Sequence, residues 1–282
     1  MSLKVLPTRR NLKFNLDPTR ALEWHEKGKN VALFLNTLSV FFPAGERFFI
    51  DSVRHYRKQI TDAEMKKAVT AFIGQEAMHT REHEEYNEAI KSHDIPIDAQ
   101  EAFVEAVLKA VQKATPDMFH LAATIALEHL TAILADGLLS LPNLMKESDI
   151  DYKTLWQWHA LEECEHKAVA FDVWQTAIGT DDDLRLYVLR SATLVIATSI
   201  FFAIFIPYYL HNVRIKGGLF DLKGWINVYK QTWGKEGIFR YITPAWFDWF
   251  KRGFHPWDHD NSHYLTELKE RLAYVIDQVE AA

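Results

Sequence analysis

A chain of 282 residues, 48% hydrophobic and 25% charged, has the composition of one large globular domain, or one domain with an appendage, and excludes a disordered chain. A net charge of −6, a pI near 6.1 and the lack of a long basic run exclude nucleic acid as a general electrostatic partner. The single cysteine, Cys164, excludes an internal disulfide framework and suits a reducing compartment, and no secretory pattern opens the chain, so a cytoplasmic location is expected.

Residues 1–30 hold Pro7, Pro18 and the basic trio Arg9, Arg10 and Lys13 without a sustained period, and read as an extended, solvated arm. From about Val31 the apolar residues recur at helical spacing, so the fold class is all-α. Phe42, Phe49, Ile50 and Val53 mark one face of a first long helix, starting near Leu38 or just before Pro43 and ending near Gln59. Thr61-Asp-Ala-Glu64 is a capping-box pattern opening a second helix to about His93, where Asp94-Ile-Pro96 stops it. A shorter helix, roughly Asp98 to Ala114, serves as a crossover. Pro116-Asp117 restarts the chain into a third long helix to about Leu139, and a fourth runs from about Asp149 to Ile178, ended by Gly179. Residues 31–180 thus read as a four-helix bundle with a crossover.

Residues 181–282 read as a helical extension packed on that bundle. Its run Ser191 to Leu210, SATLVIATSIFFAIFIPYYL, carries no formal charge and is about long enough to cross a bilayer. Arg185 and Arg190 before it balance Arg214 and Lys216 after it, so the flanking charges give no orientation for a span. A helix packed on the bundle, a homodimer interface and attachment to a membrane surface suit the run as well, and burial or surface attachment is expected over spanning. The segment beyond Gly217 is rich in tryptophan, tyrosine and lysine, and a last amphipathic helix is expected from about Ser262 to Val279.

Acids and histidines interrupt the apolar faces of all four long helices. On the fourth, WHALEECEH places His159, Glu163 and His166 within about 60° of the circumference, with Glu162 a competitor for the same sector and Glu165 pointing elsewhere. On the second, Glu76, His79 and His83 share a similar sector. Glu46 interrupts the stripe of the first, and Glu128 lies among Thr124, Ile125, Thr131 and Ala132 on the third. Unpaired carboxylates on buried faces cost several kcal/mol unless a cation compensates them.

Hairpin spacing brings these residues to one level. Glu46 and Glu76 lie fifteen positions either side of Thr61, while Glu128 and Glu163 lie seventeen and eighteen either side of Met145. One Glu from each of two helices and a Glu-x-x-His pair from each of the others, here Glu76/His79 and Glu163/His166, is the pattern of the ferritin-like dinuclear bundles. Four carboxylates offset the charge of two divalent ions.

The stretches FLNTLSVFFPAGERFF, FIGQEAMHTREH, WHALEECEHKAVAFDVW and GFHPWDHD resemble a bacterial family of predicted metal-dependent hydrolases over most of the chain. The order Glu46, Glu76-x-x-His79, Glu128, His159-x-x-x-Glu163-x-x-His166 is also similar to that of the di-iron arylamine N-oxygenases. That second resemblance implies Glu163 rather than Glu162 as ligand and His159 as a third histidine ligand. It has no place for His83, which reads as an eighth ligand, a proton relay, a residue orienting a ligand, or a core histidine satisfied by an acid such as Asp136.

The expected cofactor is two metal ions, iron first, with manganese or zinc as alternatives. The favoured function is an oxidase or oxygenase that takes O2, an electron donor and a small lipophilic or aromatic substrate, with Glu46, Glu76, Glu128 and Glu163 at the reacting centre. The alternative is a hydrolase using a metal-activated water; iron storage ranks below both. Cys164 points off the ligand sector and reads as a core thiol. His255, Asp258, His259, Asp260 and His263 read as a loop with capping acids rather than as another metal site.

Overall fold

The computed structural model describes residues 5–262, 265 and 266, and all regular elements among them are helical. In chain order they are α1 (Lys29–Ser39), α2 (Phe42–Tyr56), α3 (Ala63–Lys91), α4 (Ile97–Ala114), α5 (Asp117–Ser140), α6 (Ile150–His166), α7 (Val169–Ala177), α8 (Leu184–Ile215), α9 (Leu222–Thr232) and α10 (Ile238–Asp248). The expected all-α class is the observed one. Most of the helix expected from Ser262 to Val279 lies outside the described residues.

Local chemistry explains the boundaries, and several differ from expectation. Pro43 lies in the first turn of α2. Its ring cannot continue a helix arriving from upstream, so the chain bends at Val40 and Phe41 and the residues before it form a separate helix, α1. The second helix is capped by Asp62 rather than Thr61, its carboxylate accepting the Met65 amide at 2.8 Å. The fourth helix of the sequence reading is two, broken at Lys167 and Ala168. There the buried Lys167 ammonium turns to the His259 carbonyl at 2.5 Å and Asn261 Oδ1 at 2.9 Å.

The bundle is built from α2, α3, α5 and α6–α7, with α4 crossing α2 and α3 on the outside. Its apolar core is in two main parts, beside a small third cluster of Leu130, Ile133 and Ile242 between α5 and α10. Along α3, Met65, Val69 and Phe72 belong to one part and Tyr86 and Ile90 to the other, while Glu76, His79 and His83 fall between them. On α5 and α6–α7 the same interruption separates Ile125 from Ala135, and Leu161 from Val169. The polar residues therefore form one layer across the middle of an otherwise apolar interior.

The N-terminal arm lies along the bundle: Arg9 and Lys13 are exposed, as expected of a solvated arm, but other residues of it are not. Phe14 is buried, its amide donates to Glu82 at 2.9 Å, and Arg10 reaches two buried carboxylates of α6. α8 packs along α1 and α5 with its outward face exposed, so it is neither wholly buried nor free of the bundle. Asp117–Ser140 and Leu184–Ile215 are both long and apolar enough to cross a membrane, but the first is mostly interior.

Candidate metal centre

Glu46 from α2, Glu76 and His79 from α3, Glu128 from α5, and His159, Glu163 and His166 from α6 meet in the polar layer. Each is at most 3% exposed, which rules out solvent as the partner of these groups. Among the described residues four triads have ligand atoms within 4.8 Å of one another and could hold a metal ion: Glu76/Glu128/His166, Glu46/Glu76/His79, His79/His159/Glu163 and Glu46/His83/His159. Glu163 Oε1 is shared, lying 3.1 Å from His159 Nε2, 3.4 Å from His166 Nε2 and 3.6 Å from His79 Nδ1. Its other oxygen accepts the Thr131 hydroxyl at 2.5 Å.

The donor set fits cations. Both oxygens of Glu46, Glu76 and Glu128, together with His79 Nδ1 and His166 Nε2, are buried without a hydrogen-bond partner. Such orphaned atoms are rare in folded interiors, and eight facing one space require positive charge there. His166 Nε2 and Glu76 Oε1 approach within 3.1 Å, yet their geometry is that of an ion pair rather than of a satisfied hydrogen bond.

The outer nitrogen of each histidine is fixed by a named partner. His166 Nδ1 lies 3.0 Å from Gln75 Oε1, and the Gln75 amide is held in that orientation because its nitrogen donates to Thr8 O at 3.1 Å and Glu165 Oε2 at 2.9 Å. His79 Nε2 lies 3.1 Å from Glu162 Oε2. His159 Nδ1 lies 2.6 Å from His83 Nε2, and His83 Nδ1 lies 2.8 Å from Ser39 Oγ.

The proton of that last chain can be placed by elimination. Asn87 Nδ2 donates to Glu101 Oε1 at 2.7 Å and Ser39 O at 3.3 Å, so its Oδ1 must face the Ser39 hydroxyl and takes that proton at 2.7 Å. Ser39 Oγ then accepts from His83 Nδ1. Burial, joined by the neighbouring His159, holds His83 well below the usual histidine range, so it is neutral and its Nε2 accepts from His159 Nδ1. His159 Nε2 is left facing Glu163 Oε1 at 3.1 Å.

Without a cation the layer must neutralise itself. Burial, and then the charge of Glu76, holds Glu46 well above the usual carboxylate range, and burial with Glu76 does the same to Glu128. Burial raises Glu76 too, against the pull of His166. Burial would raise Glu163 and lower His166, but their mutual attraction wins, leaving Glu163 well below and His166 well above their ordinary values. Burial lowers His79 strongly.

Several sequence readings change. Glu162 is not in any of the four triads; it pairs with Arg10 at 3.0 Å, and burial raises it to about 7. Glu165 faces Arg10 at 2.8 Å and Gln75. Asp136 does not satisfy His83: it accepts from Tyr241 and Asn261. His255 pairs with Asp172 and His259 with Asp248, and Asp258 caps the His255 amide, so the GFHPWDHD residues are satisfied one by one rather than converging; His263 lies outside the described residues. Cys164 is a buried thiol, as expected. Arg10, Ser39, Gln75 and Asn87 were missed, although the last three are polar residues on otherwise apolar helix faces.

A cavity of about 460 Å³ adjoins the layer. Its walls are apolar residues such as Phe42, Phe49, Leu134, Phe201 and Ile204, and its polar end is formed by Glu46, His159, Glu163 and Thr131. The family described as "Predicted metal-dependent hydrolase" matches residues 8–260. No curated protein and no solved structure matches the chain.

Proposed function

Starting from the chain's membership of the family of predicted metal-dependent hydrolases, we propose that it is a dinuclear enzyme of ferritin-like type that oxidises a small lipophilic or aromatic substrate with O2. Glu46, Glu76, His79 and His159 would hold one metal and Glu76, Glu128 and His166 the other, with Glu163 between them. Bound iron supplies the redox chemistry, and oxygen donors with imidazoles suit iron or manganese. An external electron donor is required.

The observation that carries the oxidative reading is the cavity. Its walls are predominantly apolar, with a few polar residues such as Thr193 and Gln231 among them, and Glu46, His159 and Glu163 of the candidate ligand set line its polar end. A substrate held there is positioned by shape with its reacting carbon against Glu46, His159 and Glu163. Phe42 and Phe49 keep bulk water from that end, and Thr131 fixes the orientation of Glu163 by donating to Oε2.

The family description favours the second reading, hydrolysis of a lipophilic ester or similar bond. It needs a water to enter the same apolar space and a group to protonate the leaving oxygen, and Thr131 is the one hydroxyl at the polar end of the cavity among the described residues. Metal analysis separates the readings, combined with optical spectra of the reduced protein before and after O2. Iron with an O2-dependent spectral change supports oxidation; zinc with anaerobic ester cleavage removes it.

A further inference from the structure

α8 and α9 each turn an apolar stripe outward, in addition to the apolar residues, among them Phe205, Val213, Trp225 and Val228, that they pack on the bundle. On α8, Val188, Ala192, Val195, Ala203, Ile206 and Leu210 fall within about 80° of the circumference and are all exposed. On α9 and the residue that caps its C-terminus, Leu222, Ile226, Tyr229 and Trp233 fall within about 60°, again exposed, at 73%, 45%, 63% and 53%. Phe220, at the turn between the two helices, is 93% exposed. Contiguous apolar stripes on adjacent helices mark a surface that something covers.

Charge selects what covers it. Between Leu184 and Arg252 the chain has ten lysines and arginines against three aspartates and glutamates, in a protein whose total is −6. Arg185 and Arg214 flank the α8 stripe at its two ends, and Lys223 and Lys230 lie beside the α9 stripe, all exposed. A second copy docked through the same face would set this positive charge against itself. An anionic bilayer surface matches both the apolar stripes and the cations beside them.

We propose that the α8–α9 face docks on the surface of an anionic lipid bilayer, with α8 lying in the plane of the interface. Spanning is opposed by how α8 is fastened. At its start, Arg190 is buried and donates to Trp249 O at 2.5 Å, beyond the end of α10, and pairs with Asp181 at 2.6 Å. At its end, Asn212 donates to Thr37 at 3.1 Å and Tyr209 to Asn30 O at 3.0 Å. Both ends belong to one body, so no bilayer can separate them.

The docked face is also next to the cavity. Ile196 and Ile200 are exposed on α8, yet they line the cavity. A shallow apolar groove outside shares Phe119, Thr193 and Ile196 with it. A lipophilic molecule dissolved in the bilayer could therefore reach the cavity without crossing water. This delivery role rests on the substrate class proposed above; the docking does not.

The test is flotation of the full-length, metal-loaded protein with vesicles of phosphatidylcholine, alone or mixed with phosphatidylglycerol. Binding is expected to the mixed vesicles and to be on the order of tenfold weaker to neutral ones or in high salt. The double variant Val195→Asp/Ile206→Asp should lose binding to both, and Lys223→Gln and Lys230→Gln should each lose about fivefold on the mixed vesicles only. All three should keep wild-type metal content and helical circular dichroism, which separates loss of docking from loss of the metal centre. No flotation with either vesicle overturns the proposal, as does a dimer in sedimentation that Ile206→Asp dissociates. Extraction by detergent alone, resistant to carbonate, would establish a span and also overturn it.

Discussion

His83 Nε2 stands 2.6 Å from His159 Nδ1, at the inner end of a chain that begins at Glu101 and passes through Asn87 and Ser39. The chain ties His159 through Nδ1 and leaves Nε2 turned toward Glu163 and Glu46, the orientation a metal ligand needs. Replacing His83 with alanine should therefore lower metal affinity by about 10–100-fold while leaving the helices folded. Ser39→Ala should act in the same direction and more weakly. Chelator competition measures both; unaltered affinity in His83→Ala would show that His159 is oriented by something else.

Glu128 is buried with neither oxygen satisfied, so its carboxylate costs stability when no cation is present. In Glu128→Gln the metal-free protein should melt at a temperature equal to or above that of wild type. Added metal should no longer raise that temperature as it does in wild type. Thermal melts with and without chelator read both effects. Unchanged metal content and an unchanged metal-induced shift would remove Glu128 from the ligand set.

The same burial sets a pH dependence. Glu46, Glu76 and Glu128 titrate above their usual 4.5 in the metal-free fold. A carboxyl raised in this way contributes stability that is complete below about pH 4.5 and is lost as pH rises through its folded value. Metal binding demands the deprotonated forms, so it must release protons and strengthen over the same range. The difference in melting temperature between loaded and chelated protein should be small near pH 5 and grow toward pH 8. Calorimetry in buffers of different ionisation enthalpy should detect the released protons, and a pH-independent difference would contradict the assignment.

The candidate ligands were legible in the sequence because a buried helix face tolerates few acids, and those at 46, 76, 128 and 163 break apolar stripes at matched distances from their turns. The alternative ligand Glu162 could not be separated from Glu163 by angle. What separates them is Arg10, a residue of the arm more than a hundred and fifty positions away, which takes up Glu162. Spacing along one helix says nothing of a partner brought in by an irregular segment. For the same reason Asp136 looked available to His83, although tertiary packing turns it to Tyr241 and Asn261. The break between α6 and α7 was invisible because the periodicity continues through Lys167 and no proline or glycine marks it.

Ala123 on α5 and Ala197 on α8 both line the cavity. Enlarging one of them, as in Ala123→Phe, should fill volume that a substrate would occupy without touching the polar layer. Turnover of bulky apolar substrates should fall by at least about tenfold, with metal content unchanged. Binding of an apolar fluorescent probe to the metal-loaded protein would check occupancy independently of turnover. Equal probe binding in the variant would mean that substrates bind elsewhere.

Arg10 connects the arm to the metal layer. Its guanidinium meets Glu162 at 3.0 Å and Glu165 at 2.8 Å, two carboxylates whose side chains are fully buried, while it is itself 17% exposed. Glu162 in turn faces His79, and Glu165 holds the Gln75 amide that faces His166. Arg10→Ala would leave two buried acids without their cation, which costs about 3–5 kcal/mol when a buried pair is broken from one side. The loss should also loosen the outer partners of two histidines, so metal affinity should fall together with stability. Arg10→Lys should restore part of the stability but less of the affinity, because a single ammonium cannot reproduce the guanidinium's hydrogen bonds to both carboxylates. Denaturant melts and chelator competition on the two variants distinguish this from a passive arm, for which neither quantity would change by more than a few tenths of a kcal/mol, roughly the surface-substitution range.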